Sequence, residues 1–341
     1  MKALVWTAPR QMELQEQTVP EVKPDEVLVK VAFAGICGSE LSGYLGHNAL
    51  RVPPLVMGHE FSGEIASLGS TANTKYPHLV QGQKVTGNPL SCTDGSLMQQ
   101  RGLDQLCPTR QLLGAHRPGA YAEYVTVPAQ SVMSLPDDMS LRLGALTEPV
   151  GCAVRIGELA GSVAGKTCLI IGAGPIGLLS LQVLLYLQAA KVFIVDLDPE
   201  RLAMGVELGG QPIDPRRQDV VEVVRQATKN RGVELAIDAV GTADTRQQCV
   251  SAAMPTGTVI LSGLHEESSV MPAADIIRRE IVVRGSFAYS PANFAAAIDL
   301  LAQGKIRLDP WIVEAPLADG GKWFDRLIDA PGNVSKVLLS P

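Results

Sequence analysis

A chain of 341 residues is too long for one ordinary hydrophobic core, so two domains are the natural expectation. Its apolar fraction of 46% excludes a disordered chain, and a net charge of −6 offers no basic surface to nucleic acid or to an anionic membrane. Small solutes remain as partners. The six cysteines (37, 92, 107, 152, 168 and 249) lack the dense spacing of a disulfide scaffold, which suits a reducing compartment. No basic segment leading into an apolar stretch begins the chain, so a cytoplasmic setting is expected.

The first third reads as short strands. Residues 2–6, 12–15 and 26–34 place apolar side chains at every second position, with Pro20, Pro24 and Asp25 as punctuation. Strands without intervening helices imply an antiparallel, barrel-like start. Residues 35–40 are expected to form a loop, as are 45–54. Alternation resumes at 61–69, residues 70–82 read as irregular, and 83–86 as extended. Residues 88–117 show little periodicity and read as a surface excursion; 120–128 return to strand.

The texture changes after Leu141. Helical spacing covers 141–160, and beyond Gly165 strands and helices alternate: strand 167–171, helix 175–190, strand 191–196, helix 199–208, then further units to a strand at 280–285. The apolar run at 175–190 carries Ser180, Gln182 and Gln188, so it reads as a buried helix and not a membrane span. Alternating strands and helices pair in parallel through right-handed crossovers, which gives a doubly wound sheet. Helices at 293–303 and 318–329 and a strand at 336–339 follow. That final strand is too short to stand alone and is expected to pack back on the first domain.

Two constellations carry chemistry. Gly58-His59-Glu60, Cys37 twenty-two residues before His59, and Glu148 far downstream combine a thiolate, an imidazole and carboxylates, a ligand set that suits zinc better than magnesium or calcium. Taken singly, each residue has an ordinary structural explanation; together with the second constellation they do not. Gly172-x-Gly174-Pro175-Ile176-Gly177 follows an apolar strand and opens a helix, whose free amides can face a pyrophosphate. Asp196 stands nineteen residues after Gly177, where an acidic side chain accepts from ribose hydroxyls and repels a 2′-phosphate. NAD is therefore expected over NADP.

In that order and spacing, Gly35-Ile36-Cys37-Gly38-Ser39-Glu40, Gly58-His59-Glu60, Glu148-Pro149, the glycine turn and Asp196 resemble the zinc-dependent medium-chain dehydrogenases, over essentially the whole chain. The likeness is to the sorbitol (polyol) and threonine dehydrogenase branch. It implies an α/β protein: a mostly antiparallel GroES-like catalytic domain over 1–148 and 287–341, and a Rossmann domain over 149–286. It further implies a catalytic zinc held by Cys37 and His59, with Glu60 and Glu148 exchanging or bridging through water, and Ser39 taking the alcohol proton. Arg201 joins the cofactor residues. Two departures stand out. Ser42 occupies the place of the family's relay histidine, leaving a water chain or His47 for that part, and Glu40 replaces the usual aspartate that orients the histidine ring.

Many relatives hold a structural zinc with four cysteines in the lobe matching residues 91–110. Only Cys92 and Cys107 remain here, so one zinc per chain is expected and no structural zinc; a disulfide between the two would be unexpected in the cytosol. The implied activity is NAD-dependent oxidation of a secondary alcohol or polyol to a ketone. Threonine-like amino alcohols and sugar phosphates are alternative substrates, with Arg51, Arg117 and Arg284 as candidate anion anchors. A metal-free reductase and a non-catalytic nucleotide-binding protein are competing classes. The apolar strand at 280–287 would be an exposed edge in a monomer, so a homodimer or homotetramer is expected.

Overall fold

The computed structural model describes residues 1–341, which form two compact units. The first comprises Met1–Gly151, Tyr289–Gly304 and Leu308–Pro341; the second comprises Cys152–Ala288 and Lys305–Arg307. The three-residue return into the second unit has no counterpart in the sequence pattern. Gln182 holds it there, exchanging hydrogen bonds of 2.8 and 2.9 Å with the Arg307 carbonyl and amide.

In the first unit the strand Glu26–Gly35 is the hub. It pairs antiparallel with Glu60–Leu68, with Tyr124–Pro128 and with the C-terminal strand Lys336–Ser340. Val27, Val29 and Val31 pack from it against Phe61, Ile65, Val125, Val337 and Leu339, the centre of this unit's core. The sheet has seven strands and one parallel pair, Ile312–Pro316 beside Lys336–Ser340. The tail therefore does pack back, and it brings a strand, Ile312–Pro316, that the sequence pattern did not announce.

Three expected irregular stretches contain helix, the stretch 88–117 among them at Leu97–Gln100. Residues 35–40 are not all loop, because the helix Gly38–Tyr44 starts there; Cys37 is its N-cap and Glu40 reaches back to the Cys37 amide at 3.1 Å. This capping pattern uses a cysteine in place of serine or threonine, so the usual signature is missing. Ser70–Lys75 likewise forms a short helix within the polar stretch.

The second unit is a six-stranded, wholly parallel sheet. From one edge, its strands are Gln211–Ile213, Lys191–Val195, Thr167–Ile171, Val233–Asp238, Ala253–Leu261 and Val282–Gly285. Numbered along the chain this is the 3-2-1-4-5-6 order of a doubly wound nucleotide-binding sheet. The central strands are apolar on both faces because helices cover both, and the helix Pro175–Tyr186 is buried over most of its length. The sheet order puts its switch point where Thr167–Ile171 lies beside Val233–Asp238, at the end that carries the glycine turn. No helix is long and apolar enough to cross a membrane.

Candidate metal centre and nucleotide turn

Cys37, His59 and Glu60 come together in the first unit, each able to offer a ligand atom within 4.8 Å of the others. Strand register does this: Gly35 ends the hub strand opposite Glu60, so the residues just after Gly35 and just before Glu60 share one corner. Gly58, at φ +103°, bends the chain into that corner, and a side chain there would strike the Tyr121 ring and backbone.

One carboxylate organises the corner. Glu40, fully buried, accepts from the Cys37 amide, the Gly58 amide at 2.8 Å, the Tyr121 hydroxyl and Nδ1 of His59 at 2.8 Å. Burial works to raise its pKa, but His59, Arg51 and Tyr121 overcome that and hold it at about 2. With Nδ1 engaged, His59 has Nε2 left for a metal. Burial opposes a charge on that ring, while Glu40 and Cys37 raise its pKa well above the ordinary histidine value. A thiol and an imidazole within 4.8 Å of each other, with the ring oriented by a carboxylate, are a donor set that fits zinc.

Glu148 lies outside the tight group of three. It is buried and accepts from the Tyr289 hydroxyl at 2.9 Å, and its pKa is raised to about 7, by burial first and by Glu60, against the pull of His59, Tyr289 and Lys336. Glu60 is fully buried and bound to the ammonium of Lys336 at 2.7 and 2.8 Å. Ser39 is exposed, its hydroxyl 3.5 Å from Cys37 Sγ. Arg51 donates to the Ser39 carbonyl at 3.2 Å and hydroxyl at 3.3 Å; it is 3% exposed and its Nε has no partner. His47 is exposed at the surface and Ser42 half-buried.

Sequence reasoning missed Lys336, Tyr289 and Tyr121, and it weighed Arg51 only as an anion anchor. The one available signal was Lys336 itself, a lysine opening an otherwise apolar strand.

In the lobe at 91–110 the expectation of two free thiols fails, since Cys92 and Cys107 are joined in a disulfide. Pairing of Leu90–Ser91 with Gln111–Leu112 closes the lobe and sets their Cα atoms 6.3 Å apart, within reach of a bond. Asp94 lies beside both sulfurs, at 3.1 and 3.2 Å.

The nucleotide turn belongs to the second unit. Gly172 has φ +104°, and a Cβ on Gly177 would overlap the Gly172 carbonyl, so both positions demand glycine. At Gly174 a Cβ would meet nothing within 4 Å, which leaves the backbone open to a ligand. Gly174 is the N-cap of the helix Pro175–Tyr186 and supplies no side-chain cap; the Leu178 amide already donates to the Gly174 carbonyl, so the amides of Ile176 and Gly177 remain available to an anion. Asp196 accepts from the Ala173 amide at 2.7 Å and the Asp198 amide at 2.9 Å, tying the turn to the second strand. The cap of the following helix is Asp198, which accepts from Glu200 and Arg201 amides. Asp196 is thus free of that duty, and Arg201 lies in the first turn of the helix, half-buried.

Comparison with known proteins identifies the family. The zinc-binding dehydrogenase family matches residues 175–303, and the alcohol dehydrogenase GroES-like domain matches residues 23–137. The D-arabitol-phosphate dehydrogenase of Enterococcus avium is 32% identical over 96% of this chain and 94% of its own length. Among solved structures, galactitol-1-phosphate dehydrogenase from Escherichia coli superposes with a TM-score of 0.92 at 30% identity, covering 100% of both chains. A zinc-binding dehydrogenase from Sinorhizobium meliloti bound to NADP gives 0.91 at 31%, over 100% of this chain and 99% of that one. The chain belongs to the zinc-dependent medium-chain dehydrogenase family, with a GroES-like domain and a Rossmann-type domain.

Proposed function

We propose that this enzyme oxidises a secondary alcohol or polyol to a ketone, using one catalytic zinc per chain and NAD. The observation that carries the reading is the convergence of Cys37, His59 and Glu60 within 4.8 Å around a histidine oriented by Glu40. Zinc, when bound, supplies a Lewis acid for the substrate hydroxyl, and NAD, when bound, accepts the hydride. The chain's own residues do the rest. Cys37 and His59 hold the metal, with Glu60 and Glu148 as the carboxylates near it. Glu40 fixes the His59 ring, and Ser39, exposed beside Cys37, takes the hydroxyl proton.

NAD is preferred over NADP because Asp196 presents a negative charge where a 2′-phosphate would sit. The Sinorhizobium relative was solved with NADP, so nucleotide choice is a direct test of that residue. A phosphorylated polyol is the second reading. Arg51 favours it: Arg117 is paired with Glu26 at 2.7 Å and Arg284 donates to the Leu159 carbonyl in the second unit, whereas Arg51 borders Ser39 and, though its charge helps hold Glu40 ionised, makes no direct ion pair. Assembly is proposed as a homodimer or homotetramer through the sheet edge at Val282–Gly285, near which Leu264, Val270, Ile277 and Phe287 are exposed. The setting is proposed as cytosolic; the other four cysteines form no disulfide, and the Cys92–Cys107 pair is the one whose state would follow the redox poise.

The test is elemental analysis of protein purified without chelator, followed by NAD and NADP reduction with neutral and phosphorylated polyols. One zinc per chain, with activity lost on stripping and restored by zinc, supports the reading. A protein that takes up no zinc overturns it.

A further inference from the structure

Lys336 opens the C-terminal strand, 276 residues from Glu60 in sequence, and both side chains are buried. The strand register that pairs Leu338 with Gly35, and Gly35 with Glu60, brings this lysine across the hub strand onto the metal corner. Its ammonium spends three protons on three acceptors: Glu60 Oε1 at 2.8 Å, Glu60 Oε2 at 2.7 Å and the Ile36 carbonyl at 3.1 Å. Gly35 makes room for this, since a Cβ there would overlap Glu60 Oε2. Both oxygens of a carboxylate that stands within ligand distance of Cys37 and His59 are therefore already engaged by a cation.

We infer that Lys336 is a positioning residue that holds Glu60 off the metal, keeping a coordination position open for substrate while leaving the carboxylate close enough to return when that position empties. The argument is competition. An ammonium donating to both oxygens and a metal ion cannot both have the same lone pairs in full, and the lysine is fixed by a strand and a backbone carbonyl. A lysine whose only task was to neutralise a buried charge could have been met by one oxygen; this one takes both and is itself anchored at Ile36. The inference rests on the zinc reading above.

The experiment uses cobalt in place of zinc, because the intensity of its visible bands reports coordination number, and follows cobalt release to a chelator. Wild type, Lys336→Met, Lys336→Arg, Glu60→Gln and the double variant Lys336→Met/Glu60→Gln are compared without substrate. In Lys336→Met, Glu60 should join the metal: the bands weaken toward five-coordination and release slows by about tenfold or more. The double variant should return to the wild-type spectrum and rate. Lys336→Arg, which keeps a two-toothed cation, should resemble wild type. If Lys336→Met does not fold, Glu60→Gln alone decides, because a carboxylate held off the metal can be replaced without changing the resting bands. Unchanged bands and release in folded Lys336→Met, or altered resting bands in Glu60→Gln, would overturn the inference. Failure of the wild type to bind cobalt at all would instead overturn the zinc reading beneath it.

Discussion

The glycine turn and the metal corner are built on opposite plans. The contacts that shape the turn lie within residues 170–198 or in the adjoining strand end at Ala239 and Val240, and its geometry is set by backbone: two positions that only glycine can occupy, and one aspartate bonded to two amides. The metal corner draws on side chains from residue 37 to residue 336, and buried charges hold it together: Glu40 against His59 and Glu60 against Lys336. A site made of backbone tolerates little change at a few positions. A site made of buried charge is tuned by residues that never touch the substrate.

The largest effect expected is at the corner. His59→Ala removes the imidazole ligand and leaves the buried Glu40 charge with Arg51 as the cation acting on it, so zinc should be lost and kcat/KM should fall by about a thousandfold or more. Nucleotide binding, measured by quenching of NADH fluorescence, should survive. Loss of both would show that the two regions are not the independent plans their contacts describe.

Next comes the converse at the turn. Gly177→Ala drives a methyl into the Gly172 carbonyl, a backbone atom that cannot swing aside. The turn must open, so NAD affinity should drop about tenfold or more and stability by about 1–3 kcal/mol, while zinc content stays at the wild-type level. Thermal unfolding and metal analysis of the same sample give both numbers.

Glu40→Gln sharpens the contrast with a smaller perturbation. Glu40 accepts four hydrogen bonds as a carboxylate. An amide keeps one acceptor and turns a donor toward groups that are themselves donors, so the His59 ring loses its fixed tautomer. Metal affinity should fall by about ten- to a hundredfold. A chelator titration reads this without any substrate, and an unchanged affinity would mean that the ring is held by packing alone.

These differences in plan also explain what the sequence disclosed. The doubly wound sheet and its turn were legible because they depend on short-range pattern: an apolar strand, a glycine run, a helix, and an acid at the end of the next strand. Cys37, His59 and Glu60 were recognisable as residue types in a known order. The cations and hydroxyls that set their charge were not. Lys336, Tyr289 and Tyr121 reach the corner through strand register and through the return of the chain after residue 288, and no local periodicity encodes a contact across 276 residues. The helix at Gly38–Tyr44 escaped for a local reason, since a cysteine serves as its cap. The Cys92–Cys107 bond depends on closure of a lobe that has almost no regular pattern.

The smallest effect comes from a group with no charge partner in contact, beneath the turn. Cys168 sits fully buried in the first strand of the parallel sheet, and burial, with Glu234 adding and Lys166 opposing, pushes its thiol from about 9 up to about 12. Between those values the folded chain keeps a proton that the unfolded chain releases, so stability should fall as pH rises through that window and be unaffected below it. At a pH about 1.5 units above the unfolded thiol value, the loss is about 2 kcal/mol. Cys168→Ala should flatten this part of the alkaline limb relative to wild type in paired urea unfolding curves. Equal slopes for the two proteins would mean that water reaches the thiol, and that the interior under the nucleotide turn is not the dry backbone scaffold that sets it apart from the charged metal corner.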